Sequence, residues 1–95
     1  MIVGVLKLSL VLPENHSLKG KRGVIKRIQA RVADKFNISV GECGDQDHWQ
    51  SAVLGFAVVG SSEPVVQATL QKVVDFVDGM ALAQVGDSSS EIIHC

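Results

Sequence analysis

A chain of 95 residues with a formal net charge of −1 allows one domain over residues 1–95 and excludes a multi-domain enzyme. Apolar residues make up 46 %, too many for a disordered chain, while aromatic residues make up 4 % with no Tyr, so the core must be aliphatic. Two cysteines are too few for a disulfide-framed secreted scaffold, and the near-zero charge argues against a uniformly basic nucleic-acid binder.

From Ile2 to Leu12 the apolar residues recur at period two. Ile2, Leu6, Leu8, Leu10 and Leu12 share one parity, broken only by Gly4, which predicts a first strand. The run is short for a membrane span, is interrupted by Lys7, and lacks the basic leader and cleavage site of a signal peptide. Pro13-Glu14-Asn15-His16 breaks the strand, and Ser17 is placed to cap a helix. Over residues 18–36 the period changes: Leu18, Ile25, Ile28, Val32 and Phe36 form one helical stripe. Gly20 and Gly23 weaken its first turns, so a late or frayed start is expected.

Residues 38–44 alternate again and predict a second strand, followed by a polar connection, Gly44-Asp45-Gln46-Asp47-His48-Trp49-Gln50. Ser51 to Gly60 is nearly continuously apolar and predicts a central third strand. Ser61-Ser62-Glu63-Pro64 opens a second helix with the stripe Val66, Leu70, Val73 and Val77, and Gly79 is expected to stop it. Ala81 to Val85 and Glu91 to Ile93 predict a last strand with a bulge or bend over residues 86–90. Cys43 reads as a small core residue, Cys95 as a frayed end, and a reduced cytoplasm as the natural compartment.

The order strand, helix, strand, strand, helix, strand, with right-handed crossovers, is most economically a ferredoxin-like α+β fold. It is a four-stranded antiparallel sheet with both helices on one face. That fold hosts many functions, so function must come from sites. An RNA-recognition motif needs aromatics on its central strands, and Phe56 is the only one there. The loop after the first strand lacks the CxxC of a copper chaperone and the Gly-rich, Arg-bearing turn of an acylphosphatase.

Three features remain. Eight of the nine Lys and Arg lie in residues 1–35 against two acids, a net +6; residues 36–95 hold one against eight acids, a net −7. Lys19, Arg22, Lys26, Arg27 and Arg31 fall away from the apolar stripe of the first helix, with Lys35 at its margin and no acid among them before Asp34. Solvated helix faces are often charged, but they usually intersperse acids for salt-bridge support. A cationic ridge roughly 28 Å long suits phosphates, and the low aromatic count directs RNA contact to the backbone. The second feature is the loop with Asp45, Gln46, Asp47 and Trp49, which reads as an interaction loop with Trp49 as a lid or anchor. Asp45, Asp47 and His48 form no metal or acid–base set without ligands from elsewhere, and no catalytic residue, metal or cofactor is assigned. The third is the sheet face opposite the helices. Val3, Val5, Val11, Val53, Ala57 and Val59 would line it, so a homodimer through this face or through an edge strand is expected.

Ser17-Leu18-Lys19-Gly20-Lys21-Arg22, then Phe36-Asn37-Ile38-Ser39-Val40-Gly41-Glu42, then Gly44 to Gln50 with Gly55, resemble the YlxP-like family of small bacterial proteins, domain of unknown function 503. Gly20 and Gly23 depart from the charged residues usual in that family. The resemblance implies a ferredoxin-like fold in a bacterial cytoplasm. Members are often encoded beside transcription-elongation, translation-initiation and ribosome-maturation proteins, which implies a role in ribosome assembly or translation, with rRNA or a ribosomal subunit as partner. It carries over no catalytic residues. The reading is therefore a non-enzymatic RNA- or ribosome-associated protein without membrane attachment. The alternative is a protein–protein interaction module using the open sheet and the Trp49 loop, and a small metal-dependent hydrolase is a third.

Overall fold

The computed structural model describes residues 1–95. The elements are β1 (Ile2–Val11), α1 (Leu18–Lys35), β2 (Ser39–Gly44), β3 (Ser51–Gly60), α2 (Glu63–Met80) and β4 (Gln84–His94). The strands form one antiparallel sheet in the order β2-β3-β1-β4, so the nearly continuous apolar runs occupy the two central places. This is the ferredoxin-like arrangement expected from the element order.

Register decides which side chains are buried. Leu8 pairs with Leu54 and Leu6 with Phe56, so the even-numbered apolar residues of both strands share one face. On that face Leu6, Leu8, Leu10 and Leu12 meet Ala52, Leu54, Phe56 and Val58. Ile25, Ile28 and Val32 of α1 cover them, together with Val66, Leu70, Val73 and Val77 of α2. The α2 stripe is buried as the periodicity requires. Leu18 and Phe36, at the ends of the α1 stripe, are half-buried, and Phe36 meets Phe76 edge-on at 5.6 Å between ring centroids. Gly4 is buried because β1 runs hard against α2: a Cβ there would lie 2.4 Å from Cγ1 of Val66.

Several local expectations need correction. The first helix neither starts late nor frays, because Ser17 Oγ accepts the Gly20 N–H at 3.0 Å and its carbonyl accepts the Lys21 N–H. Gly79 does not stop α2. The helix runs through it to Met80 and ends on Ala81, which takes the left-handed conformation with φ 55° and so is not the start of a strand. The last strand runs unbroken as β4, and the bulge expected over residues 86–90 is present at its start. Its register slips where Val85 pairs with Leu10 and Ser88 with Leu8, so Gly86 and Asp87 oppose Ser9 alone, a bulge. Cys43 is exposed rather than in the core. Its parity on β2 is that of Gly41, while Val40 and Glu42 face the helices. Cys95 is not frayed: its N–H donates to the Met1 carbonyl at 2.8 Å, and the terminal ammonium donates back to its carbonyl at 3.0 Å.

No helix is long and apolar enough to cross a membrane. The sheet face opposite the helices is uncovered. Val11, Val59 and Ile93 are its most exposed apolar residues, at 40 %, 64 % and 40 %. Gly41, Gly55 and Ala57 leave a shallow depression of about 680 Å³ there, bordered by Val5, Lys7 and Glu91.

Candidate functional site

All six residues of the basic ridge are exposed on α1, and none lies within ion-pair distance of an acid. Helical spacing resolves the ridge into two rows. Lys19, Arg22 and Lys26 follow one another at steps of three and four along one flank, and Arg27, Arg31 and Lys35 at steps of four along the other. Gly23, Ala30 and, in the last turn, Asp34 lie on the crest between the rows, and nothing stands within 4 Å of where a Gly23 Cβ would be. From Lys19 to Lys35 the rows together span about 24 Å of the helix axis. Only Lys35 has a partner, its ammonium resting 5.4 Å from the centroid of the Phe76 ring. Unpaired cations set side by side repel one another, and an incoming polyanion relieves that repulsion.

Lys21 behaves differently from its neighbours. It lies one helical step from Leu18 and Ile25 and is only 2 % exposed. Its ammonium donates to the Asp45 carbonyl and stands 3.1 Å from Oε2 of Glu42, which is itself buried. The ammonium is aligned on the carbonyl. The approach to Oε2 is a Coulombic contact without hydrogen-bond alignment, so that oxygen has no hydrogen-bond partner. Glu42 reaches this position because it shares the helix-facing parity of β2 with Val40. Asp45 turns the chain with φ 57°, a conformation that Asp tolerates, and its carbonyl also accepts the His48 N–H at 3.0 Å.

A second set of hydrogen bonds ties the same loop to the β1–α1 connection. The Asn15 amide donates to the carbonyls of Ser17 and Trp49, and the Gln50 amide to those of Pro13 and Asn15. Leu12 N–H donates to the Gln50 carbonyl at 2.8 Å. Asn15 Oδ1 fills the space beside Gly20, 2.3 Å from where a Cβ would stand, so glycine at that position admits the Asn15 side chain. Two of the sequence blocks that carry the family resemblance, Ser17 to Arg22 and Gly44 to Gln50, thus meet at one end of the sheet, and the third reaches them through Glu42.

In that loop Asp45, Gln46, Asp47 and Trp49 are all exposed. Trp49 is 55 % exposed and is no lid on the core. His48 Nδ1 lies 3.3 Å from Ser51 Oγ and 3.8 Å from Asp45 Oδ1. No group of three or more His, Cys, Asp and Glu is gathered with the geometry of a metal site. His94 stands elsewhere, 2.9 Å from Glu63. The sequence reading found the ridge and the loop but missed Lys21, Glu42, Asn15 and Gln50, which join them.

Comparison with known proteins agrees with this layout. A solved de novo designed protein with ferredoxin fold, LFR1 1, superposes with a TM-score of 0.58 at 10 % identity, over 99 % of this chain and 86 % of that one. A flavoprotein of the VAO type from Myceliophthora thermophila C1 matches with a TM-score of 0.57 at 13 % identity. That match covers 97 % of this chain but 16 % of the flavoprotein. At such identities the likeness is one of fold. An uncharacterised protein, YlxP of Bacillus subtilis (strain 168), is 42 % identical over 77 residues, covering 81 % of this chain and 84 % of the relative. The model of the family described as "Protein of unknown function (DUF503)" matches residues 3–90, and the chain belongs to that family.

Proposed function

We propose that the chain is a non-enzymatic RNA-associated protein that holds the phosphate backbone of structured RNA on α1. The observation that supports this most strongly is the pair of cationic rows on one exposed helix, six side chains without an acidic partner. Acids dominate the rest of the chain, so an anion is favoured at α1 and disfavoured elsewhere, which limits non-specific wrapping. The resemblance to a family encoded beside translation proteins narrows the anion to RNA, with rRNA or a ribosomal subunit as the partner and the bacterial cytoplasm as the place.

The triple variant Arg22→Ala, Lys26→Ala, Arg31→Ala tests the assignment. Its affinity for a structured rRNA fragment should fall about tenfold or more by fluorescence anisotropy, while Lys72→Ala on α2 should leave it within about twofold. Equal affinity of the triple variant and the parent would remove α1 from the interface.

The uncovered sheet face favours a second reading, in which two copies pack these faces together. Val59 and Ile93 stand exposed on it beside Val3 and Val5, and folded monomers seldom leave such a patch in water. Sedimentation of the parent should then give a dimer at tens of micromolar, and Val59→Asp a monomer. A parent that stays monomeric at that concentration would contradict it.

A further inference from the structure

We propose that Trp49 is a stacking platform for one unpaired nucleobase of the RNA held by α1. The inference rests on the RNA reading and adds a substrate class to it: a duplex carrying a bulged or flipped base.

Two observations taken together carry it. The first is rigidity without burial. The backbone around Trp49 is pinned by Asn15 on its own carbonyl, by the Gln50 amide on Pro13 and Asn15, by Leu12 on Gln50, and by Lys21 on Asp45. A loop held so tightly could lay its one large aromatic on the core, yet the indole stays 55 % exposed. With the backbone held in place, only the two side-chain torsions of the indole remain to be ordered when it binds. The three Phe side chains are buried or half-buried, so Trp49 is the one large aromatic side chain displayed to solvent.

The second observation is the chemistry around the indole. It borders an open depression of about 560 Å³ lined by His16, His48, Gln50 and Ser51. Two further rings, the imidazoles of His16 and His48, suit a planar base, and none of the lining residues is acidic. The Asn15 side chain that holds the Trp49 carbonyl also holds that of Ser17, the cap of α1. The platform therefore adjoins the helix turn that bears Lys19 and Arg22. Phosphates on a cationic helix beside a base on an aromatic ring is the usual division of labour in single-strand recognition. Asp45 and Asp47, earlier in the loop, disfavour phosphate on that side and keep the backbone toward α1.

Trp49 is the only Trp in the chain, so intrinsic fluorescence reports on this site alone. The full-length protein is titrated with an RNA hairpin bearing a one-nucleotide bulge and with the same hairpin fully paired, with anisotropy of a dye-labelled RNA read in parallel. The bulged hairpin should quench the emission and bind about tenfold tighter than the paired one. Trp49→Phe should keep most of that preference, and Trp49→Ala should abolish it while retaining binding to the paired hairpin. Binding of the bulged RNA by anisotropy with unchanged Trp49 emission would overturn the platform and leave the α1 reading standing. Absence of binding to either RNA would overturn both. An emission shift that follows protein concentration rather than RNA would assign Trp49 to a contact between copies and overturn the platform.

Discussion

Lys21→Met should lower the stability of the fold by about 3 kcal/mol, seen as a lower urea midpoint at unchanged slope. The ammonium of Lys21 is 2 % exposed and serves two acceptors, the Asp45 carbonyl and Oε2 of Glu42. Methionine fills much the same volume but supplies no donor. It leaves a carboxylate oxygen that is already without a hydrogen-bond partner with no opposite charge beside it. Removing one member of a buried ion pair usually costs about 3–5 kcal/mol. Glu42 retains 22 % exposure, so water screens part of its charge and the lower end applies. The double variant Lys21→Met, Glu42→Leu should recover most of the loss, since apolar residues of similar size often replace a buried pair without penalty. A single variant within about 0.5 kcal/mol of the parent would show that the ammonium is dispensable for the loop. For a domain of this size a loss of about 3 kcal/mol is a large share of the total.

Gly4→Val should be of similar size, about 2–3 kcal/mol, for a steric reason. The added Cβ would stand 2.4 Å from Cγ1 of Val66 and 3.0 Å from Cδ1 of Leu70. Val66 is 1 % exposed and β-branched, so it has neither room nor a second comfortable rotamer. Gly60 presses on the same residue from β3, where a Cβ would be 2.7 Å from Cγ2 of Val66. The helix must therefore lift from the sheet, and all four α2 core residues feel it. Pairing Gly4→Val with Val66→Ala should restore part of the stability by thermal unfolding. Gly23→Ala serves as the control: the site is open and should lose nothing. Equal midpoints for Gly4→Val and the parent would show that α2 does not depend on this contact.

The fold was legible because two periods are written clearly in the chain. Leu6, Leu8 and Leu10 alternate, and Val66, Leu70, Val73 and Val77 step by four and three; all seven are buried. The boundaries of β3 came directly from its apolar run. What was lost was local backbone chemistry. Gly79 reads as a helix stop, but the helix continues through it to Met80 and Ala81 takes the left-handed turn. The exposed ridge on α1 was legible from helical spacing alone. Lys21 was not, because residue type suggested solvent while position suggested the core. The signal lay in two places together: Lys21 falls in the apolar stripe of α1, and Glu42 falls on the buried parity of β2. Opposite charges at two inward-facing positions are a pair in waiting, although the sequence does not state that the two elements are adjacent. Asn15 and Gln50 act through carbonyls of distant residues, and such acceptors leave no mark in side-chain patterning.

The loop lock and the cationic rows serve one arrangement: a rigid end of the sheet from which α1 presents its charges. The dependence of RNA affinity on salt reads those charges. Plotting the logarithm of the association constant for a structured rRNA fragment against the logarithm of salt concentration should give a line of slope about −3 to −5, from four to six phosphate contacts. In the triple variant Arg22→Ala, Lys26→Ala, Arg31→Ala the slope should shrink by about 2 to 3. A flat line for the parent, or the same slope in parent and triple variant, would contradict phosphate binding by α1.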